Sequence, residues 1–564
     1  MRLFTAFSWD RLRQCPSTGA LGWLAAVGLT ALYIQWLFPT GLISGTHPYW
    51  SAQDQDITQY LAGFEAYFKE PWHWPLWRIE SLNWPDGTLT TFVDAIPLYA
   101  GLLKALAPQS WSHPNPFGYW LAWCLLLQAT GAWWVLREAQ IKHWMALITL
   151  TSVLVCFPAW LDRIGHISLM SQWLIVFAFA LILRGERNQR FPAASWTTLL
   201  ICALFINIYL FCMTALLCTA PALQRVFVKP RAPLMYWLGA TIALTACGIW
   251  ATMWPLPKSA GQIEFGFGVY SLNVLSPFIG GRYFSHIANA FSAEQHFEGF
   301  NYLGLGLLLL IALATTLALR SMTTQDMRHR LARPSTNTGL MVMLLLMMLY
   351  AFSNQIYWGT HLLYQWPIPD WAQPITGQLR ASGRFFWPVG YALAIYSIIA
   401  IARSYSASKS SLIFTLALVI QVIDLGPYFE RWHELGKKDR GQIISFEQWQ
   451  ALLSTQSQTL YFFPKMKCAQ HSLAINTLLP IMRFASEHNR QLNTGYLARY
   501  NPTCQQEHAE IGQSTPSRSA YIFVNAEYSA QTIATFFPST WQVHCQTQDF
   551  ASVCTAVDSA LSKP

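Results

Sequence analysis

Asp54 and Asp56 stand two residues apart in the string "SAQDQDITQYLAGFEAYFKEPW". A carboxylate can take a proton from a hydroxyl, hold a divalent cation, or accept hydrogen bonds at a helix start. All three uses stay open here, because the residues that follow have helical spacing. Ile57, Tyr60, Leu61, Phe64, Tyr67 and Phe68 form one apolar stripe. Such a helix is expected to lie on a bilayer surface, with its aspartates where water meets lipid. Asp94, in "NWPDGTLTTFVDAIPLYAGLLKAL", either points at the same place or caps the apolar segment it opens.

Cationic groups recur at comparable places. "FPAWLDRIGHISL" carries Asp162, Arg163 and His166 at a predicted helix end. Arg163 would grip a phosphate and His166 would bind or orient a substrate; the competing use is an interfacial salt bridge with a satisfied histidine. "QLRASGRFF" places Arg380 and Arg384 on either side of a Ser-Gly turn, a spacing that suits a phosphate or diphosphate, or side chains snorkelling to the surface. "INIYLF" offers Asn207 and Tyr209, and "HFEGFNYLG" offers Glu298 and Asn301, either as walls of the same cavity or as local caps. No Walker A lysine motif, HExxH, GxSxG elbow or zinc-type Cys/His spacing is present, so ATP-driven pumping and a dedicated metal centre are not expected. No cofactor is fixed by these residues; a divalent cation at the first-loop carboxylates stays open.

The elements that must hold these groups are membrane helices. Of 564 residues, 53% are hydrophobic and 15% aromatic, while only 11% are charged, against roughly 25% in soluble domains. That composition excludes disordered, fibrous and small disulfide-rich proteins. The net charge is +9, and the excess sits in the first 429 residues, with 25 basic against 17 acidic side chains. This follows the positive-inside rule rather than nucleic-acid binding, for which no basic-aromatic run exists.

Eleven spans are predicted, at 20–39, 117–136, 143–160, 167–184, 192–206, 208–226, 234–254, 301–319, 339–352, 386–402 and 411–425. The Lys/Arg clusters near 137, 187, 229, 328 and 403 all fall on one side if the N-terminus is cytoplasmic, if the chain turns back tightly near Asn207, and if 93–107 does not span. The first run, from Leu21 to Phe38, reads as a retained helix rather than a cleaved signal peptide. Segments 40–116, 255–300, 353–385 and the tail then share the outer face. The tail from 430 to 564 has normal charge density, with "TLYFFP" and "AYIFVN" as buried strands and "SAQTIATFF" as a helix leading into "TWQVHC". A small α/β domain is expected there. Its cysteines, Cys468, Cys504, Cys545 and Cys554, allow two disulfides in an oxidising compartment or four free thiols.

The strings "DITQYLAGFEAYFKEPW", "VDAIPLYAGLLK", "DRIGHISLMSQWLI", "NYLGLG" and "LRASGRFFWPV" together resemble a bacterial GT-C-like membrane family. GT-C proteins are integral-membrane glycosyltransferases that use polyprenyl-phosphate-linked sugars. The resemblance covers most of residues 50–400 and implies an all-α polytopic fold for the membrane part; with the small α/β tail read above, the expected placement is the inner membrane with a periplasmic tail. It implies Asp56, with Asp54 second, as the base or substrate-orienting carboxylate. Arg384 with Arg380 would hold the donor phosphate, and Arg163 and His166 would complete the wall. The implied partners are membrane lipid, a polyprenyl-phosphate sugar and an extracytoplasmic glycan, lipid or protein acceptor. The rival readings are a flippase for lipid-linked glycans and a non-catalytic glycan-assembly scaffold.

Overall fold

The computed structural model describes residues 17–558 apart from 54, 109–110, 112–114, 229–237, 240, 243–244, 247, 250–252, 259–263, 286–297, 323–337, 436–441, 454–455 and 470–472. Six described helices are long and apolar enough to cross a membrane: Ala20–Leu37, Phe117–Glu138, Trp144–Leu161, Ile167–Asn188, Ser382–Ser404 and Ala407–Asp424. Four shorter apolar helices, Ala193–Ile206, Ile208–Gln224, Leu305–Arg320 and Thr338–Phe352, coincide with four more of the expected spans. The expected span 234–254 lies largely outside the described residues. Among the described residues, six full-length spans therefore stand where the sequence predicts eleven. The shorter helices have 17 residues or fewer of continuous apolar helix, which local hydropathy does not distinguish from a full crossing. This make-up is that of a multi-pass membrane protein.

Asn207 is the one-residue break between Ala193–Ile206 and Ile208–Val228, its backbone extended, and the two helices pack on each other. The helix that follows Asp94, Pro97–Leu106, has only 10 residues. At about 1.5 Å per residue it reaches half the thickness of a hydrocarbon core.

The tail carries a five-stranded sheet in the order Gln491–Leu492, Thr459–Phe463, Ser519–Val524, Ala551–Asp558, Trp541–Gln548. The first three strands run parallel, and the last two are antiparallel additions. All six residues of Ser519–Val524 are buried, as a central parallel strand requires. Two disulfides staple this domain, Cys468 to Cys504 and Cys545 to Cys554.

The Asp56–Lys69 helix departs from its expected place. Its sequence predicts a bilayer surface with a wet polar face, yet Ile57 through Tyr67 are all buried. Two of its polar side chains bond the tail: Gln59 Nε2 donates to the Tyr496 carbonyl at 2.8 Å, and Lys69 Nζ to the Glu487 carbonyl at 2.7 Å. The Leu473–Glu487 helix packs on it from that side. The apolar stripe is legible, but a polar face that meets protein looks identical in sequence to one that meets water.

One turn along from Gln59, Gly63 admits the turn Thr90–Val93 that precedes Asp94. A Cβ at Gly63 would lie 2.5 Å from Val93 Cγ2. Gly63→Val is expected to lower stability by about 1–3 kcal/mol through overpacking, read as a drop in thermal midpoint in detergent. An unchanged midpoint would show that the helix and the turn do not approach this closely.

Candidate active site

Asp56 is the first residue of its helix, with a side chain about 40% exposed, and its Oδ2 lies 3.2 Å from His166 Nδ1. The other ring nitrogen of His166, Nε2, lies 3.7 Å from Glu298 Oε1. Glu298 is the hub. Its Oε2 accepts from Arg163 Nη1 at 2.7 Å and from Arg384 Nε and Nη2 at 3.1 and 2.8 Å. Arg163 Nη2 also reaches Asp162 at 2.9 Å. Four of the residues singled out by sequence, Asp56, Arg163, His166 and Arg384, thus meet through Glu298, which sequence leaves open as a cavity wall or a local cap.

Local structure explains the convergence. The 162–166 turn is tied down on three sides. Trp160 Nε1 donates to the Met170 carbonyl at 2.8 Å, while Tyr60 Oη and Asn207 Nδ2 both meet Ser168 Oγ, at 3.2 and 3.0 Å. Glu298 and Arg384 are brought together by backbone stacking of the segments around Ser271, Gly299 and Gly383. A Cβ at Gly299 would sit 1.9 Å from the Ser271 carbonyl oxygen, and one at Gly383 only 2.7 Å from Gly299 Cα. Asn301 Nδ2 then donates to the carbonyls of Gly299 and Gly383, both at 3.0 Å. Each charged residue adjoins a glycine, in "EGFN" and "SGR", and that pairing is the available sequence signal for Glu298.

The electrostatics follow from burial and neighbours. Burial alone would raise the Glu298 carboxyl pKa; Arg163, Arg384 and His166 more than offset it and hold it well below the ordinary range. Burial lowers the His166 pKa against the pull of Glu298 and Asp56, with Arg163 and Arg384 pushing the same way as burial. A neutral imidazole has one donor and one acceptor nitrogen, so it can stand between two carboxylates but donate to only one.

The remaining predicted residues divide. Tyr209 lines the cluster, with the Arg384 guanidinium 4.7 Å over its ring. Asn207 serves as a local brace, accepting from the Tyr209 amide at 3.0 Å and donating to Ser168. Arg380 does not join Arg384: it turns to Glu264 at 3.2 Å, where Arg499 and Lys467 also bond. The four-residue spacing suggests one phosphate clamp, but the turn Ser382–Phe386 sends the two side chains to different carboxylates. Asp54 lies outside the described residues.

Asp94 sits in a left-handed backbone conformation just past the Thr90–Val93 turn. Its pKa is pushed up to about 6, by burial first and then by the charge of Asp56, with Arg384 and Arg499 opposing. Because the folded value is raised, Asp94 contributes stability below about pH 4 that is lost as pH rises through about 6. Asp94→Asn is therefore expected to raise stability at pH 7.5 by about 2 kcal/mol and by almost nothing at pH 3.5. Thermal midpoints of both proteins at the two pH values test this; an equal difference at both would refute it.

Beside Arg384 opens an apolar cavity of about 640 Å³, lined among others by Phe211, Cys212, Leu238, Tyr350, Leu379 and Phe385. Phe385 packs on Tyr209 and Tyr350, ring centroids 6.3 and 4.7 Å apart, so an aromatic layer stands between the cavity and the charged cluster. Among the described residues no three acidic, histidine or cysteine side chains converge as a metal site.

Comparison with known proteins bears on the fold and the family. The solved arabinofuranosyltransferase AftD from Mycobacteria superposes with a TM-score of 0.51 at 11% identity. The match covers 96% of this chain but only 40% of that one. The likeness is one of fold. No curated protein matches significantly. Family profiles match over residues 27–426, "Domain of unknown function (DUF6311)", and over 448–556, "DUF6311 C-terminal domain". With most of its length matched by the first profile, the chain belongs to the DUF6311 family.

Proposed function

We propose that this protein is an integral-membrane glycosyltransferase that moves a sugar from a polyprenyl-phosphate donor to an extracytoplasmic glycan, lipid or protein acceptor. The observation that carries the reading is a reachable carboxylate, Asp56, linked through His166 and Glu298 to Arg384, whose chain neighbour Phe385 lines an apolar cavity. An isoprenoid chain suits that cavity. Its phosphate would meet Arg384 Nη1, which has no hydrogen bond among the described residues. Asp56 takes the proton of an acceptor hydroxyl, that oxygen attacks the anomeric carbon, and the sugar–phosphate bond breaks with its electron pair leaving on the phosphate. Arg384 stabilises the departing charge. His166 orients Asp56, and Glu298 holds the arginines in place.

The cellular placement belongs to the same reading: inner membrane, cytoplasmic N-terminus, and a periplasmic domain from residue 430 onward after a first domain of 1–429. The two disulfides support an oxidising compartment for the tail. The test is sugar transfer by purified protein supplied with synthetic polyprenyl-phosphate sugars. Translocation of those lipids in vesicles without any glycosyl transfer would favour a flippase and end this proposal.

A further inference from the structure

A strap from the C-terminal sheet domain crosses the elements that carry Asp56 and Asp94. The Tyr496 carbonyl accepts from Gln59 Nε2 at 2.8 Å, one helical turn from Asp56. The Ala498 amide donates to the Phe92 carbonyl at 2.8 Å, two residues before Asp94. Arg499 closes the strap: its amide donates to Glu264 Oε1 at 2.8 Å and its Nη1 to Oε2 at 2.8 Å, on the carboxylate that also holds Arg380. Arg499 Nε further donates to Gln378 at 2.8 Å, just ahead of the Arg380–Arg384 turn. Three tail residues thus register the strap against all three segments that build the site's open side.

Tyr496 is the residue of this strap whose side chain can do chemistry. It is half-buried, and its hydroxyl has no hydrogen-bond partner among the described residues. Burial first, then the charges of Asp56, Glu264 and Asp94 against that of Arg380, push its pKa up to about 12. The phenol therefore stays protonated at neutral pH and is a donor in a place where ionised carboxylates can only accept.

We infer that Tyr496 forms the acceptor side of the site, donating a hydrogen bond to the incoming sugar hydroxyl while Asp56 accepts that group's proton. The tail is then part of the reaction centre. The inference rests on the glycosyltransferase reading and deepens it, because acceptor recognition is separated in space from the donor phosphate at Arg384.

Tyr496→Phe removes only the hydroxyl. The probes are a short-chain polyprenyl-phosphoryl sugar as donor and an octyl glycoside panel as acceptor, with donor hydrolysis by water followed in parallel. The expected result is an acceptor KM raised about fivefold or more, with donor hydrolysis and thermal midpoint unchanged. An unchanged acceptor KM overturns the inference. So does a joint fall of transfer, hydrolysis and midpoint, which would mark Tyr496 as structural. Arg499→Lys, which keeps the charge but loses the fork to Gln378 and Glu264, is expected to raise acceptor KM in the same direction; no change there also counts against the strap. If the wild-type protein transfers no sugar from any donor in the series, the glycosyltransferase reading itself fails and this inference falls with it.

Discussion

Asp56→Asn is expected to lower sugar transfer by about 10²- to 10⁴-fold, the usual contribution of a positioned general base. The substitution keeps the shape of the side chain and its place 3.2 Å from His166. It removes a proton acceptor and nothing from the core, since the side chain is about 40% exposed. The stability cost is small: about 0.3–1 kcal/mol for lost attraction between a carboxylate and the helix N-terminus, opposed by relief of the charge repulsion on Asp94. Activity and thermal midpoint should therefore separate: a near-dead enzyme with a near-normal melt. Binding of polyprenyl monophosphate should also persist, because Arg384 and the apolar cavity are untouched. Transfer within a factor of two of the wild type would remove Asp56 from the mechanism. Loss of activity accompanied by a fall of many degrees would mean that the residue is structural.

Glu298→Ala is expected to be the most damaging single change to stability, about 3–5 kcal/mol. The carboxylate is buried, its side chain 9% exposed, and it neutralises Arg163, 2% exposed, and Arg384, 12% exposed. Removing it leaves two guanidiniums close together in a low-dielectric interior with no shared counter-charge. The cost comes mainly from Arg384, left without a carboxylate partner beside Arg163, and less from the hydrogen bonds removed, which yields a sharper test. Arg384→Met added to Glu298→Ala should restore part of the midpoint, because it removes the cation left without a bonded carboxylate, whereas Arg163 keeps Asp162 at 2.9 Å. A double variant less stable than Glu298→Ala alone would contradict this account. Acid should act on the same hub. The Glu298 pKa is depressed, so its stabilisation is present at neutral pH and is lost as the pH falls through the folded value.

Much of this protein is written in local sequence. Composition and apolar run length determine that the chain lives in a membrane, because a span needs only a continuous apolar stretch. Apolar, β-favouring runs in "TLYFF" and "AYIFV" and the turn residues around them determine the strands of the tail. Asp56, Arg163, His166 and Arg384 are legible as charged residues at the ends of apolar segments, where charge has a desolvation cost unless it has a use.

What sequence could not decide is which of those charges face one another. Arg380 and Arg384 look like a pair and are not, because the turn between them directs one to Glu264 and the other to Glu298. Glu298 reads in sequence as either a cavity wall or a local cap and is the hub, because its partners lie 135 and 86 residues away. The polar face of the Asp56–Lys69 helix looks wet and is sealed by a domain more than 400 residues downstream. Spacing reports only on neighbours within a few turns. Pairing of charges across a bundle is set by backbone approach, here at Gly63, Gly299 and Gly383, and that approach exists only once the whole chain has packed.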